Sequence, residues 1–250
     1  MCINEGKVQQ QLQRSFCSNN SKEPCPLTDQ TVGVLTYDMK HRKTYDTLCL
    51  LKAKGYHKVH VYAQPLHYRK QFVPLIKHRP ELHMDIPELS ILCENLGYAL
   101  YRGKLEACQI PGSMPLLVCG SGILPDDFVQ NHTIINAHPG FLPTSRGLDA
   151  FKWAIWEGKP LGVTTHILGK EIDAGEVIER REIKAEENET FFETASKVYE
   201  NEISMLVDAI EHLGEEHMLV KPGNNEVHRR MPHEIEKDLL EKFETFKDKE

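Results

Sequence analysis

The chain has 250 residues, of which 40% are hydrophobic and 27% charged, a composition sufficient for one large domain with a proper core. Its 30 lysines and arginines against 37 aspartates and glutamates give a formal net charge of −7, which argues against a general nucleic-acid or membrane-surface binder. No run approaches the roughly 18 apolar residues of a membrane span, and the polar first 30 residues lack a signal-peptide core, so we expect a cytoplasmic protein.

Cysteine and histidine spacing indicates neither a disulfide framework nor a metal site. The seven cysteines are odd in number and widely spaced, and no CxxC motif occurs, so we expect reduced, structural thiols. Histidine pairs such as His57 and His60 are not joined by a carboxylate or cysteine that would complete a ligand set. We therefore expect no metal ion.

Composition divides the chain into three parts. Residues 1–30 are rich in glutamine, asparagine, serine and lysine without sustained periodicity, which predicts a short polar N-terminal extension. Residues 31–213 carry the strand and helix patterns of the main domain. Residues 214–250 form a charged C-terminal tail with one helix, whose apolar side is Ile235, Leu239, Phe243 and Phe246. The sequence does not choose whether this tail covers its own domain or a partner subunit, and a homodimer stays open.

Strands alternate with helices through the first 140 residues. Buried strands are predicted at 32–36, 58–63 and 116–119. A helix is predicted from about Thr44, and Gly55 ends it. This alternation predicts an α/β fold with a parallel sheet.

Two further helices have clear end signals. Asp85 is predicted to cap the first of them, and Gly97 to end it. Thr190 followed three residues later by Glu193 fits a capping box. Apolar residues then recur at steps of three and four, as on one face of a long amphipathic helix: Phe192, Ala195, Tyr199, Ile203, Leu206, Ile210 and Leu213.

In parallel α/β sheets ligands bind at the carboxyl ends of strands, and a glycine-containing loop lies at one of these positions. The sequence CGSGILP follows the 116–119 strand and contains Gly120 and Gly122. Pro125 stands where a dinucleotide-binding loop would have its third glycine, so a tight loop with two permissive glycines explains this segment better. Free backbone donors in such a loop can still line a ligand.

A polar pair ends another strand, in the sequence INAHPGFLP at residues 135–143. Asn136 and His138 are two apart on a strand and therefore share a face. Pro139 ends the strand pairing, and Gly140 leaves room for a close approach. Taken alone, the pair fits a hydrogen-bonded core feature equally well. The Gly-flanked loop in GKEIDAGEVI places Asp173 where it could pair with a histidine.

Together, INAHPGFLPTSRG and GVTTHILGKEIDAGEVI resemble the folate-dependent formyltransferase family. The family's mark is an Asn-x-His-Pro strand end followed by Leu-Pro, and then an Asp-Ala-Gly or Asp-Thr-Gly loop about 35 residues later; here Asp173 lies 35 positions past His138. The resemblance covers about 116–210 and implies a Rossmann-like formyltransferase fold, with a mostly parallel twisted sheet flanked by helices. Gly140 departs from the family pattern, where serine or alanine is common.

The resemblance implies that N10-formyltetrahydrofolate donates a formyl group to a primary amine. Asn136 would donate a hydrogen bond to the oxyanion that forms when the amine attacks. His138 would be a second donor or the proton acceptor, because histidines titrate near neutral pH. Asp173 would hold the imidazole or a relaying water. No covalent enzyme intermediate is needed.

The resemblance also implies residues that bind the donor and the acceptor. The donor set is Gly120, Gly122, Ile123, Leu124 and Ile172. For the acceptor we expect Arg146, which directly follows the catalytic loop, and Lys40 and Arg42, in the charged segment after the first strand. Other residues of that segment that could contact a pyrophosphate are Asp38, His41 and Lys43, and a solvated charged loop is the alternative for each.

Several acceptors remain open. The segment TYDMKHRKTYD lacks the glycine-rich phosphate loop of glycinamide ribonucleotide transformylases. Only about 35 residues follow the long helix, against the appended domain of methionyl-tRNA formyltransferases, and the front extension is short for a formyltetrahydrofolate hydrolase. We therefore expect a small-molecule acceptor and no nucleic acid: an amino sugar on a nucleotide carrier, for surface polysaccharide or flagellar glycan synthesis. A non-catalytic folate-binding module is the alternative from another class.

Overall fold

Short buried strands rich in β-branched and leucine side chains build the main sheet in the computed structural model. The structure describes residues 29–66, 72–80, 85–105, 108–169, 173, 175–220 and 227–247. Its strands are β1 (Val32–Tyr37), β2 (Val59–Gln64), β3 (Ala99–Arg102), β4 (Leu116–Val118), β5 (Ile134–His138), β6 (Arg146–Gly147), β7 (Gly162–Leu168), β8 (Gly175–Glu182), β9 (Met218–Val220) and β10 (Val227–His228). Its helices are α1 (Arg42–Ala53), α2 (Leu89–Leu96), α3 (Asp126–Asn131), α4 (Ala150–Glu157), α5 (Phe191–Asp208), α6 (His233–Glu236) and α7 (Leu239–Lys247).

The main sheet has the strand order β3-β2-β1-β4-β5-β7-β8-β9 among the described residues. The first five strands are parallel, while β7, β8 and β9 continue the sheet in antiparallel fashion. This confirms the predicted α/β class with a mostly parallel sheet. The strand order reverses between β1 and β4, and such a switch point opens a crevice at the carboxyl ends of the strands.

The helices follow the predicted order with shifted ends. Helix α1 begins at Arg42, two residues before the expected start. The prediction that Asp85 caps α2 was wrong: Glu88 is the cap residue, since the chain is still extended before Leu89. The prediction for the other end is confirmed, because Gly97 ends α2 at φ 72°, a conformation that glycine adopts without steric cost.

Helix α5 has the predicted capping box. The Thr190 hydroxyl accepts a hydrogen bond from the Glu193 backbone, and the Glu193 carboxylate accepts one from the Thr190 backbone. The predicted apolar face was wrong in one position, because Phe191 is 3% exposed and Phe192 is 53% exposed. Phe191 packs against the rings of Phe151 and Phe243, which bring it to the core.

The C-terminal residues pack on their own domain. Strand β9 extends the main sheet beside β8, and β10 pairs with β6. Leu239, Phe243 and Phe246 are buried in the same apolar cluster as the sheet. The predicted N-terminal extension, residues 1–30, lies almost wholly outside the described residues. No helix of the described part combines the length and hydropathy needed to cross a membrane.

Candidate active site

A cleft of about 760 Å³ lies at the carboxyl ends of β1, β4 and β5. The ends of these strands place Tyr37, Cys119 and Asn136 in its wall, and the loop before β8 adds Asp173. The sheet's switch point and the two polar segments predicted from the sequence therefore meet in one place. Within the described residues, no group of three histidine, cysteine or carboxylate side chains is arranged to hold a metal ion.

Asn136, His138 and Asp173 all line this cleft. His138 Nδ1 lies 3.5 Å from Asp173 Oδ1, and His138 Nε2 donates to the Ser145 carbonyl over 2.8 Å. Asp173 Oδ2 accepts the backbone N–H of Gly147 at 2.7 Å. The imidazole and the carboxylate are thus held in fixed positions, with the histidine 4% exposed.

Asp173 has a left-handed backbone with φ 49°. Aspartate tolerates this region better than most side chains, although it still costs about 1 kcal/mol. The carboxylate is held in this geometry by Gly147, so the loop retains a strained conformation that aims Asp173 at His138.

His166 is a site residue that the sequence reasoning missed. It lies opposite Asn136 in the β5–β7 pairing, and the Asn136 Nδ2 donates to its Nε2 over 3.3 Å. Burial, and to a smaller extent the neighbouring His138, lower the pKa of His166 to about 4, and Asp173 partly opposes them. His166 is therefore neutral near pH 7 and orients the Asn136 amide. A histidine inside the otherwise buried strand GVTTHIL was the available signal.

The turn after β5 is held by Thr164, whose hydroxyl donates to the Gly140 carbonyl and accepts from the Leu142 N–H. Gly140 is close to His138 and Ser145: a Cβ there would lie 2.6 Å from the Ser145 carbonyl oxygen and 2.7 Å from His138 Nε2. Glycine at position 140, where the family commonly has serine or alanine, therefore leaves the space that the His138 ring occupies.

Gly140→Ala is expected to displace the His138 ring, because neither neighbour of the new methyl group is the free end of a flexible side chain. The overpacking should destabilise the fold by about 1–3 kcal/mol and lower the turnover of any reaction that uses the His138 ring by roughly tenfold or more. Chemical unfolding and steady-state kinetics measure both effects. Gly214→Ala, in open space and likewise without a positive φ, is the control for an added methyl group alone. A fully active Gly140→Ala variant would contradict the close-packing explanation.

The predicted donor-binding residues lie in different places. Gly120 and Ile123 line the cleft, and a Cβ at Gly120 would meet the Tyr37 ring at 2.7 Å. Gly122 is not among the lining residues, and Leu124 packs against a second apolar cluster. Ile172 lies outside the described residues.

The predicted acceptor-binding residues are also separated. Arg42 lines the cleft and pairs with Asp46 at 2.8 Å. Lys40 is not among the lining residues; it lies 3.5 Å from Glu88. Arg146 is 4% exposed in β6 and does not line the cleft either.

The cleft has a basic wall, of which Arg42 and Lys43 were predicted as acceptor contacts, whereas Arg79, Arg229 and Arg230 were not predicted. Lys43 and Arg79 both pair with the buried Glu202, at 2.7 and 2.5 Å. Burial raises the pKa of Glu202, but the two cations outweigh it and lower the value to about 2. The charged side chains of the described lining are five cations, Arg42, Lys43, Arg79, Arg229 and Arg230, and three carboxylates, Asp149, Asp173 and Glu202. The cleft is therefore net positive in a chain of charge −7.

Comparison with known proteins finds similarity to formyltransferases. Residues 114–210 match the formyl transferase family model. The methionyl-tRNA formyltransferase of Thermotoga neapolitana is 34% identical over 93 residues, which are 36% of this chain and 30% of that protein. The chain thus spans about a third of the length of such curated relatives.

Solved structures share the fold at lower identity. A 4-N formyltransferase from Francisella tularensis superposes with a TM-score of 0.54 at 19% identity, covering 79% of this chain and 76% of that one. WlaRD, a sugar 3N-formyl transferase solved in the presence of dTDP and 5-N-formyl-THF, superposes with a TM-score of 0.59 at 14% identity. The superposition covers 80% of this chain and 70% of that one. A phosphoribosylglycinamide formyltransferase from Anaplasma phagocytophilum superposes with a TM-score of 0.52 at 18% identity, covering 73% of this chain and 86% of that one. The match over residues 114–210 and the shared fold confirm the predicted resemblance to the formyltransferases.

Proposed function

We propose that this protein transfers a formyl group from N10-formyltetrahydrofolate to the primary amine of an amino sugar carried on a nucleotide. The observation that carries the proposal is the convergence of Asn136, His138 and Asp173 in one open cleft. These three groups come from two segments 35 residues apart, and a packing role does not require them to face a cavity.

The cleft suits a folate head in size and lining. Its volume lies in the range of small-molecule sites, about 300–1,000 Å³. Ile123 offers a fully exposed apolar side chain at its wall, and the nearby Gly120 also lines the cleft. We propose that this loop holds the donor, which supplies the formyl carbon that the amine attacks.

Each catalytic residue has a role that its contacts support. Asn136, oriented by the neutral His166, donates its amide N–H to the oxygen that becomes negative. His138 already donates through Nε2 to Ser145, so Nδ1 is the nitrogen that receives the proton lost by the amine. That proton would lie between Nδ1 and Asp173 Oδ1, where the carboxylate stabilises the charged imidazole.

The charge of the cleft favours an anionic acceptor. Lys43 and Arg79 share one carboxylate, Glu202, so this group adds a net positive charge to the cleft that Asn136, His138 and Asp173 also line. A nucleotide-linked sugar carries the pyrophosphate that such a wall attracts. Sugar N-formyltransferases among the solved structures of the same fold give further support.

A second candidate acceptor is methionyl-tRNA. It is favoured by the curated relatives, which carry that name, and the basic wall would suit its phosphates equally well. Glycinamide ribonucleotide is a smaller acceptor that also carries a primary amine and a phosphate. It is therefore the third acceptor in the test.

The acceptor is tested by offering N10-formyltetrahydrofolate with three kinds of amine in parallel: nucleotide-linked amino sugars, glycinamide ribonucleotide and methionyl-tRNA. Mass spectrometry of the acceptors should show formylation of a sugar nucleotide. If only methionyl-tRNA or only glycinamide ribonucleotide is formylated, that compound is the acceptor and the proposal of a sugar nucleotide is wrong. Release of tetrahydrofolate without any formylated amine would indicate a hydrolase instead.

A further inference from the structure

The C-terminal residues Val227–Met231, here called the C-terminal strap, lie directly on the turn that follows β6. Val227 and His228 pair in parallel with Arg146 and Gly147. The Leu148 N–H donates to the His228 carbonyl at 2.9 Å. The strap thus forms one wall of the cleft, about 80 residues after the turn it covers.

Helix α4 anchors the middle of the strap. The Trp153 indole N–H donates to the Arg229 carbonyl at 2.8 Å, and its ring stacks on His228 at a centroid distance of 4.4 Å. His228 Nε2 also lies 3.0 Å from Glu157 Oε1. These contacts hold the strap at α4 independently of the catalytic groups.

Asp149 holds the end of the strap with its side chain. Its Oδ2 accepts the Met231 backbone N–H at 3.0 Å, and its Oδ1 accepts from Arg230 Nη1 at 3.2 Å. The carboxylate is 3% exposed, and the residue has φ 54°, a left-handed conformation that costs an aspartate energy. The two hydrogen bonds to the strap account for the retention of this conformation.

Gly147 lies between the strap and the catalytic carboxylate. Its φ is 90°, and a Cβ there would lie 2.2 Å from the His228 carbonyl oxygen, so only glycine fits under the strap. On its other side, its N–H donates to Asp173 Oδ2 at 2.7 Å. Contacts therefore run without a break from Asp149 through the strap and Gly147 to Asp173.

We propose that Asp149 is a positioning residue: by fastening the C-terminal strap onto the 146–149 turn, it holds the Gly147 N–H on Asp173 and so fixes the carboxylate against His138. The catalytic part of this proposal rests on the proposed function. The geometric part concerns the Gly147 hydrogen bond and stands without it.

Two substitutions at one position separate the side chain from the backbone. Asp149→Gly removes the acceptor and accommodates φ 54° without strain, while Asp149→Asn keeps an acceptor for Met231 and tolerates the same backbone. Asp149→Gly should lower kcat about tenfold or more with KM changed less than about threefold, and Asp149→Asn should restore most of kcat. Phe246→Ala, in the apolar core of α7, is the control for lost stability and should keep kcat below its melting temperature.

Amide hydrogen exchange at Gly147, measured by NMR on the ligand-free protein, tests the geometric part. Exchange should be faster in Asp149→Gly than in the wild-type protein or Asp149→Asn. Unchanged exchange in Asp149→Gly, or a kcat loss in Phe246→Ala equal to that in Asp149→Gly, would overturn the proposal. If no formyl transfer is found with any amine, the proposed function fails, and the exchange rates still decide whether Asp149 holds Gly147.

Discussion

Asn136→Ala is expected to lower kcat for formyl transfer about 10²–10³-fold, because it removes a preorganised hydrogen-bond donor from the oxygen that gains negative charge. His138→Ala should cost about 10²–10⁴-fold through loss of the proton acceptor. Both variants should keep their folds, since Asn136 contacts His166 and His138 contacts Ser145 at the edge of an open cleft. Steady-state kinetics with formyl donor and amine, together with unfolding curves, measure the two effects.

Asn131→Ala is the matched control for Asn136→Ala. Asn131 ends helix α3, where its side chain donates to the Asp127 carbonyl, and it does not line the cleft. It should retain the wild-type kcat. Near-normal transfer by Asn136→Ala or His138→Ala would show that these residues do not carry the chemistry.

Lys152→Met is expected to lower the free energy of unfolding by about 3–5 kcal/mol, because it leaves the Glu236 carboxylate buried without its cation. Both side chains are fully buried, with Lys152 on α4 and Glu236 on α6. Glu236 Oε2 also accepts the Leu75 N–H at 2.8 Å, so the pair joins three separate segments. Urea unfolding of the full chain measures the loss.

Two comparisons test whether the burial of the pair is the cause. The double variant Lys152→Met/Glu236→Leu should recover much of the lost stability, because no uncompensated charge remains. Lys197→Met, which breaks the partly exposed pair with Glu189, should cost about 1 kcal/mol or less. A loss of under about 1 kcal/mol in Lys152→Met would contradict the buried-pair account.

The same pair predicts a pH dependence of stability. Burial raises the pKa of Glu236, but hydrogen bonds from Lys152 and Leu75 outweigh it and hold the pKa below 4.5. The ionised Glu236 therefore stabilises the folded protein above pH 4.5. This stabilisation is lost as the pH falls through the pKa that Glu236 has in the folded protein.

The candidate catalytic residues could be predicted from the sequence because the local sequence pattern determines most of their placement. Asn136 and His138 lie two apart on one strand, which fixes their common face whatever the rest of the fold does. Asp173 was different: its loop was visible, but its distance to His138 depends on the pairing of β5 with β7 and on Gly147. The resemblance to the formyltransferases supplied that link.

The strap and the Arg79 part of the basic wall could not be predicted from the sequence, because they depend on tertiary contacts between distant segments. Arg79 follows a proline-interrupted stretch with no periodicity, and Glu202 lies among the buried residues of α5, where only apolar positions were considered. The strap pairs with β6 through two residues of each segment. Pairing of such short strands leaves no pattern in either sequence.

Amine-dependent release of tetrahydrofolate from N10-formyltetrahydrofolate, followed by absorbance, tests most directly whether the cleft catalyses formyl transfer. The wild-type protein should release tetrahydrofolate only when a suitable amine is present, and Asp173→Ala should lose this release together with Asn136→Ala and His138→Ala. Release that does not require an amine would contradict formyl transfer to an amine, and release that persists in all three variants would contradict catalysis by these residues.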